Sequence, residues 1–250
     1  MVQAWLNPFC ADLGDTMKET APSFTADRIT ARDTVLAALL TAGAAIAAFV
    51  PPFFPFAHAS VYPPAVRVLS MLAFGVSGLY CAWRCGLEIM PHGLRHPMWV
   101  SLIAGVLVAA YLLLLDVVFR ARLTGNGAES LPGISLWVRL IYYVLRSLNE
   151  GIVYQLFFGS VFVFLIGRVW RQDGAITPGA YWLGLILAHA LNLAINVPFH
   201  ASTFVYDTLR FFAPGILWAY LYRRHGLSVA IAAHAATHVF FQPFIALTST

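Results

Sequence analysis

Residues 98–119 read MWVSLIAGVLVAAYLLLLDVVF, an apolar run broken by one charge, Asp116. About 20 such residues in a helix cross the hydrocarbon core of a bilayer, whereas the surface helix of a soluble protein carries a polar face. Working outward, similar runs recur at about 35–56, 66–83, 141–167, 180–199, 207–222 and 227–247, which makes seven expected spans. The whole chain agrees, with 60% apolar residues, 10% charged residues and a mean hydropathy of +0.76. Soluble domains carry roughly 25% charge. A soluble enzyme, a disordered tail and a disulfide-stapled secreted domain are therefore excluded, and the expected fold is an all-α polytopic transmembrane helical bundle.

Residues 1–33 are the only soluble-looking stretch, with Asp12, Asp15, Lys18, Glu19, Asp27, Arg28, Arg32 and Asp33. They lack the basic-then-apolar order of a signal peptide and read as a cytoplasmic or interfacial arm ahead of a membrane domain over 34–250. The positive charge comes from fourteen Arg and one Lys, scattered between the apolar runs. That scatter suits membrane topology and argues against a nucleic-acid partner. Arg28 and Arg32 precede the first run, Arg84 and Arg95 follow the second, Arg168 and Arg171 the fourth, and Arg223 and Arg224 the sixth. Arginine in alternate loops places the N-terminus in the cytoplasm, although Arg120 and Arg122 break the pattern. The stretch 120–135, RARLTGNGAESLPGIS, is a turn region rich in Gly and Pro. The expected location is a bacterial inner (cell) membrane.

Ionisable groups inside spans are costly, so each is a functional candidate. Asp116, Glu150, His189, His234 and His238 stand out, joined by the hydrogen-bonding groups Gln155, Asn192 and Asn196. His234 and His238 are four apart in AHAATH and share a helix face. His189, Asn192 and Asn196 line one face of the fifth run, and Glu150 shares a stripe with Arg146 and Arg139 in LWVRLIYYVLRSLNEG. Three polar stripes in an oily bundle are most simply explained by one interior site. Bland alternatives stand beside this. Glu150 could be a structural carboxylate paired with Arg146 one turn earlier, and a single membrane His often makes only an interhelical hydrogen bond. Asp116 before Arg120, and Asp207 before Arg210, read as helix-end ion pairs. Cys81 and Cys85 read as small apolar filling, and the loop residues His58, His92, His96, His200 and His225 are given no role.

Three short segments carry a pattern in order: EGIVYQ at 150–155, LILAH at 185–189 and HGLSVAIAAHAATH at 225–238. Over residues 140–245 they resemble the CPBP family, the CAAX-processing and bacteriocin-processing (Abi-type) intramembrane glutamic endopeptidases. The first family motif is Glu-Glu, three residues, then Arg, usually with an aromatic before the Arg. Glu150 matches its first Glu and Tyr154 its aromatic, while Gly151 and Gln155 stand where the second Glu and the Arg would be. Leu185 and His189 match the second motif. His234 matches the His of the third, and His238 stands at its Asn. This is a divergent member's pattern, and losing Glu and Arg together keeps the local charge balanced.

The resemblance implies peptide hydrolysis in which Glu150 takes the proton from water, His189 helps hold that water, and His234 and His238 donate to the oxyanion. An imidazole N–H can replace an amide N–H as donor. Gln155, Tyr154, Asn192 and Arg146 would support them. The implied partners are a membrane-associated protein or peptide substrate and the lipid bilayer, with no cofactor. Two rivals remain. Three His and one Glu form a conceivable zinc set, although HAATH lacks the Glu that follows the first His in zincins. A catalytically degenerate scaffold of the same fold would instead hold a partner without cutting it.

Overall fold

The computed structural model describes residues 30–56, 59–91, 96–123, 134–197, 200 and 202–244. Most of the expected N-terminal arm, His58, His92 and most of the 120–135 turn region lie outside them. The first helix, α1 (Ala31–Ala47), is opened by a capping box in which the Thr30 hydroxyl and the Asp33 carboxylate accept each other's backbone N–H. Asp33 also accepts the Met90 N–H at 3.0 Å, tying this helix start to the next interhelical connection. The expected first span ran to residue 56, but α1 stops before Pro51 and Pro52, where a short 3-10 turn (Pro51–Phe53) takes over. Proline in a helix interior removes a donor and clashes with the preceding turn.

A second 3-10 turn (Ala59–Val61) leads into α2 (Pro64–Cys85), which has Pro at its start and Gly86 in the left-handed region (φ 68°) after its end. Buried Arg67 in its first turn donates to the Ala48 carbonyl at 2.8 Å and to the Phe49 and Tyr62 carbonyls. It thereby satisfies acceptors at the end of α1 that no helix turn follows. Next comes α3 (Pro97–Leu123). The chain then runs without a break through α4 (Leu136–Glu150), a π-helical segment (Gly151–Gly159) and α5 (Ser160–Val169). A two-residue antiparallel hairpin (Arg171–Gln172 with Ala175–Ile176) turns at Asp173 and Gly174, both with positive φ. It delivers the chain to α6 (Pro178–Asn196).

Another broken helix follows: α7 (Phe204–Asp207), a π segment (Thr208–Phe212) and α8 (Ala213–His225). Pro214 supplies a cause, since its missing N–H disturbs the hydrogen-bond ladder one turn earlier. Gly226 (φ 88°) then reverses the chain into α9 (Leu227–Phe241). The first amides of α9, at Leu227 and Ser228, donate to the Glu88 and Ile89 carbonyls, each at 3.0 Å. The connection after α2 therefore anchors the start of both α1 and α9.

Among the described residues, four helices are long and apolar enough to cross a membrane: Pro64–Cys85, Pro97–Phe119, Leu136–Val169 and Pro178–Asn196. The other three expected spans correspond to shorter helices, with 17 residues in α1, 13 in α8 and 15 in α9. Large apolar side chains are exposed around the bundle, among them Leu39, Leu69, Val76, Ile103, Leu107 and Val118. A monomeric soluble protein does not expose that much apolar surface, so the exterior is consistent with an integral membrane protein. Inside, α9 packs along α3 and across α4. The α3–α9 approach is tight, as a Cβ on Gly105 would fall 2.6 Å from that of Ala236. Small residues at such crossings let helices approach closely enough for dispersion forces to hold them in lipid.

Candidate functional site

Glu150 is the last residue of α4, about midway along the 34-residue helix, where the backbone passes into its π segment. π-Helical turns widen a helix by one residue and are frequent at functional sites. Two features aim the carboxylate. Arg146, one turn earlier, donates Nε–H to Glu150 Oε1 at 2.7 Å and is itself held by the Tyr142 hydroxyl at 3.1 Å. On the far side, α9 comes within reach because position 151 has no side chain. A Cβ there would lie 2.4 Å from Ile231 Cγ1. Three residues along α9 from Ile231, His234 presents its Nε2 at 3.9 Å from Glu150 Oε2.

His234 and His238 are one turn apart on α9, and their Nε2 atoms face each other at 3.3 Å. One imidazole must carry the shared proton and the other accept it. Each ring is backed by an aromatic plane. Tyr143 of α4 stacks on His238 with centroids 4.5 Å apart, and Trp218 of α8 stacks on His234 at 5.6 Å. His189 on α6 is buried and lies against Gly215 of α8, where a Cβ would meet its Nδ1 at 2.6 Å. It interacts electrostatically with both Glu150 and His234. Four helical elements thus bring Glu150, His189, His234 and His238 into one interior cluster. The Glu150 side chain retains 17% of its exposure and that of His234 retains 14%, so the cluster is largely buried without being sealed.

The supporting candidates divide into two groups. Arg146 belongs to the cluster through its ion pair. Tyr154, Asn192 and Asn196 form a separate relay: the Tyr154 hydroxyl donates to the Pro55 carbonyl at 2.7 Å and accepts from Asn196 Nδ2 at 2.6 Å. Asn196 Nδ2 also donates to Asn192 Oδ1 at 2.8 Å. This relay fastens the π segment to α6 and to the loop after α1. Gln155 is buried in the same π segment, and its Oε1 has no hydrogen-bond partner among the described residues.

Sequence reasoning missed Tyr143, Trp218, Gly215 and Gln242. Gln242 follows α9 one turn beyond His238, is buried, and has no partner for its Oε1 among the described residues. Its i, i+4, i+8 relation to His234 and His238 was a signal that could have found it. The Nδ1 atoms of His189, His234 and His238 are likewise buried without a hydrogen-bond partner among the described residues. Such orphaned acceptors and donors are costly unless a water or ligand meets them.

The outlying acids lie apart from this cluster. Asp116 accepts from the Tyr206 hydroxyl at 2.7 Å and pairs with Arg210 across helices, while the side chain of Arg120 lies outside the described residues. Asp207 accepts the Thr203 hydroxyl at 2.7 Å, and Arg210, three residues along, turns to Asp116. Cys81 and Cys85 are buried free thiols. Among the described residues, no group of three or more His, Cys, Asp or Glu side chains is placed to hold a metal ion. No family model, curated protein or solved structure matches the chain.

Proposed function

We propose that the chain is a glutamic-type intramembrane endopeptidase, a divergent relative of the CPBP family, cutting peptide bonds in or beside membrane segments of protein substrates. The observation that carries this reading is the chain of contacts from Glu150 to His234 at 3.9 Å and from His234 on to His238 at 3.3 Å, inside an otherwise apolar helical bundle. Two of the three departures from the family motifs, at Gly151 and Gln155, have local counterparts that support activity. Gly151 stands where the closeness of Ile231 leaves no room for a side chain. Arg146 supplies beside Glu150 the guanidinium that is missing at Gln155.

The chemistry follows from the acceptors and donors present. A water about 2.8 Å from both Glu150 Oε2 and His234 Nε2 would fit their separation. Glu150 takes one of its protons as the water oxygen attacks the substrate carbonyl carbon. The oxyanion so formed accepts from an imidazole N–H, with His238 the nearest donor after its bond to His234 turns towards substrate. When the C–N bond breaks, the proton on Glu150 passes to the leaving nitrogen, giving a carboxyl and an amine terminus. His189 sets the field around the carboxylate from the α6 side.

In this reading α1, the broken α7–α8 helix and α9 join the four long helices, for seven crossings with a cytoplasmic N-terminus. The decisive experiment maps protein termini in native membranes carrying wild type or Glu150→Ala at matched levels. A set of cut termini that vanishes in the variant establishes the protease and identifies its substrates. Unchanged termini, together with a deletion phenotype that Glu150→Ala rescues, would make the chain a scaffold.

One observation favours a second reading. The 3.3 Å between His234 Nε2 and His238 Nε2 matches the ~3.3 Å between two imidazole ligands of tetrahedral zinc with Zn–N near 2.05 Å. Metal analysis of protein purified without chelator decides it, since a stoichiometric zinc that is lost together with cleavage on chelation would make the enzyme a metalloprotease.

A further inference from the structure

Three of the four membrane-length helices reach the same edge of the bundle: α2 ends at Cys85, α5 ends at Val169 and α6 begins at Pro178. The contact that marks this edge is the Tyr181 hydroxyl donating to the Cys85 carbonyl. Around it stands a ring of arginines from four elements. Arg84 is in the last turn of α2, Arg168 in the last turn of α5, Arg171 in the hairpin, and Arg223 with Arg224 in the last turn of α8. Arg84 and Arg171 both act electrostatically on Cys85, and Arg171 and Arg223 both act on Tyr181. Geometry puts them at one edge: Arg84 is the chain neighbour of Cys85, Arg223 lies over the Tyr181 ring at 5.1 Å, and Arg171 stands in the hairpin that joins α5 to α6. The acids in the same stretches are Glu88 and Asp173.

The arginines are also presented rather than merely present. Arg171 is stitched to the Gly167 carbonyl at 2.8 Å and the Gly174 carbonyl at 3.1 Å, while remaining exposed. Arg223 lies over the Tyr181 and Trp182 rings at 5.1 and 5.5 Å. Arg168 lies over Phe164 at 4.5 Å. Exposed Trp170, with Trp182 and Tyr220, adds an aromatic girdle at the same level, which is where such rings sit at a membrane surface. Cations just outside an aromatic girdle, at the ends of three spans, stand at the depth of lipid phosphates.

We infer that this arginine ring, centred on the Cys85–Tyr181 contact, is a seat for the headgroup of an anionic phospholipid. A phosphodiester placed among Arg84, Arg171 and Arg223 meets planar donors suited to bidentate contact, while its acyl chains run down the apolar flank of α2 and α5. The inference is independent of proteolysis and stands whether or not Glu150 is catalytic.

The test is thermal unfolding of the purified full-length chain in neutral detergent, titrated with phosphatidylglycerol, phosphatidylcholine or inorganic phosphate. Phosphatidylglycerol is expected to raise the midpoint saturably, with little effect from the other two. Arg84→Gln/Arg171→Gln is expected to weaken the half-saturating concentration about 25-fold, since each surface arginine contributes about fivefold. Arg84→Lys/Arg171→Lys should fall between it and wild type, showing that the charge and not the fold was lost. Mass spectrometry of co-purified lipid, read on the same proteins, gives the measure should the Gln variant be unstable. Equal stabilisation by phosphatidylcholine, an unaltered response in the Gln variant, or full reproduction by inorganic phosphate would each overturn the proposal.

Discussion

The backbone of Gly151 lies so close to Ile231 that a Cβ at position 151 would fall 2.4 Å from Ile231 Cγ1. This approach between the π segment and α9 sets the distance from which Glu150 meets His234. The glycine that looks like a lost motif residue is thus the reason the carboxylate and the imidazole share a site.

Gly151→Ala should therefore destabilise the bundle by about 1–3 kcal/mol, the usual cost of overpacking. Gly151→Glu, with a larger side chain, should be worse. Gly151→Ala combined with Ile231→Ala should cost less than the sum of the two single variants, because the new Cβ enters space that Ile231 vacates. Unfolding midpoints in detergent check this, and an unaffected Gly151→Ala would show that the contact is slack.

Arg146 holds Glu150 Oε1 at 2.7 Å, so Arg146→Met leaves a largely buried carboxylate without its main partner. Cleavage should fall at least tenfold, with Arg146→Lys retaining more activity because it keeps the charge but not the Nε geometry. A rate assay on a substrate identified by terminus mapping checks the order: wild type, then Lys, then Met.

His238→Asn should keep cleavage, because an amide N–H can donate where the imidazole did. His238→Ala should lose about 10²–10³-fold in kcat, as when one oxyanion donor is removed from a known protease. Glu150→Ala, His189→Ala and His234→Ala should each abolish turnover with expression unchanged. If His238→Ala cleaved as fast as wild type, the donor role would pass to another group.

Asp116 and Arg210 bind α3 to the π segment after α7, with the Asp116 side chain only 10% exposed. Breaking one partner of a buried pair costs about 3–5 kcal/mol, because it strands the other charge. Asp116→Asn should accordingly lower the unfolding midpoint sharply, while Asp116→Leu with Arg210→Met should restore much of it. The double variant, compared with the two single ones, separates the net worth of the pair from the cost of stranding a charge.

Much of the site was legible because it is built from stripes within single helices. His234 with His238, Arg146 with Glu150, and Asn192 with Asn196 each sit one turn apart, and each pair interacts in the structure. The aromatic planes behind the imidazoles were not legible. Tyr143 reaches His238 from α4 and Trp218 reaches His234 from α8, and no spacing in the sequence relates residues on different helices. The expected pairing of Asp207 with Arg210 fails for the same reason: Arg210 turns to Asp116 on another helix, and Asp207 accepts the Thr203 hydroxyl.

The sequence by itself determined that the chain folds as apolar helices, where the four longest of them run, and which polar residues lie on their inward stripes. Those are properties of each segment alone, governed by hydropathy over about 20 residues and by the 3.6-residue turn. The tertiary structure decided which stripes face one another, how close α9 comes to Glu150, and which arginine each buried acid takes. Those depend on the rotation and depth of one helix against another, which close packing at positions such as Gly151 and Gly105 settles only once both partners are in place.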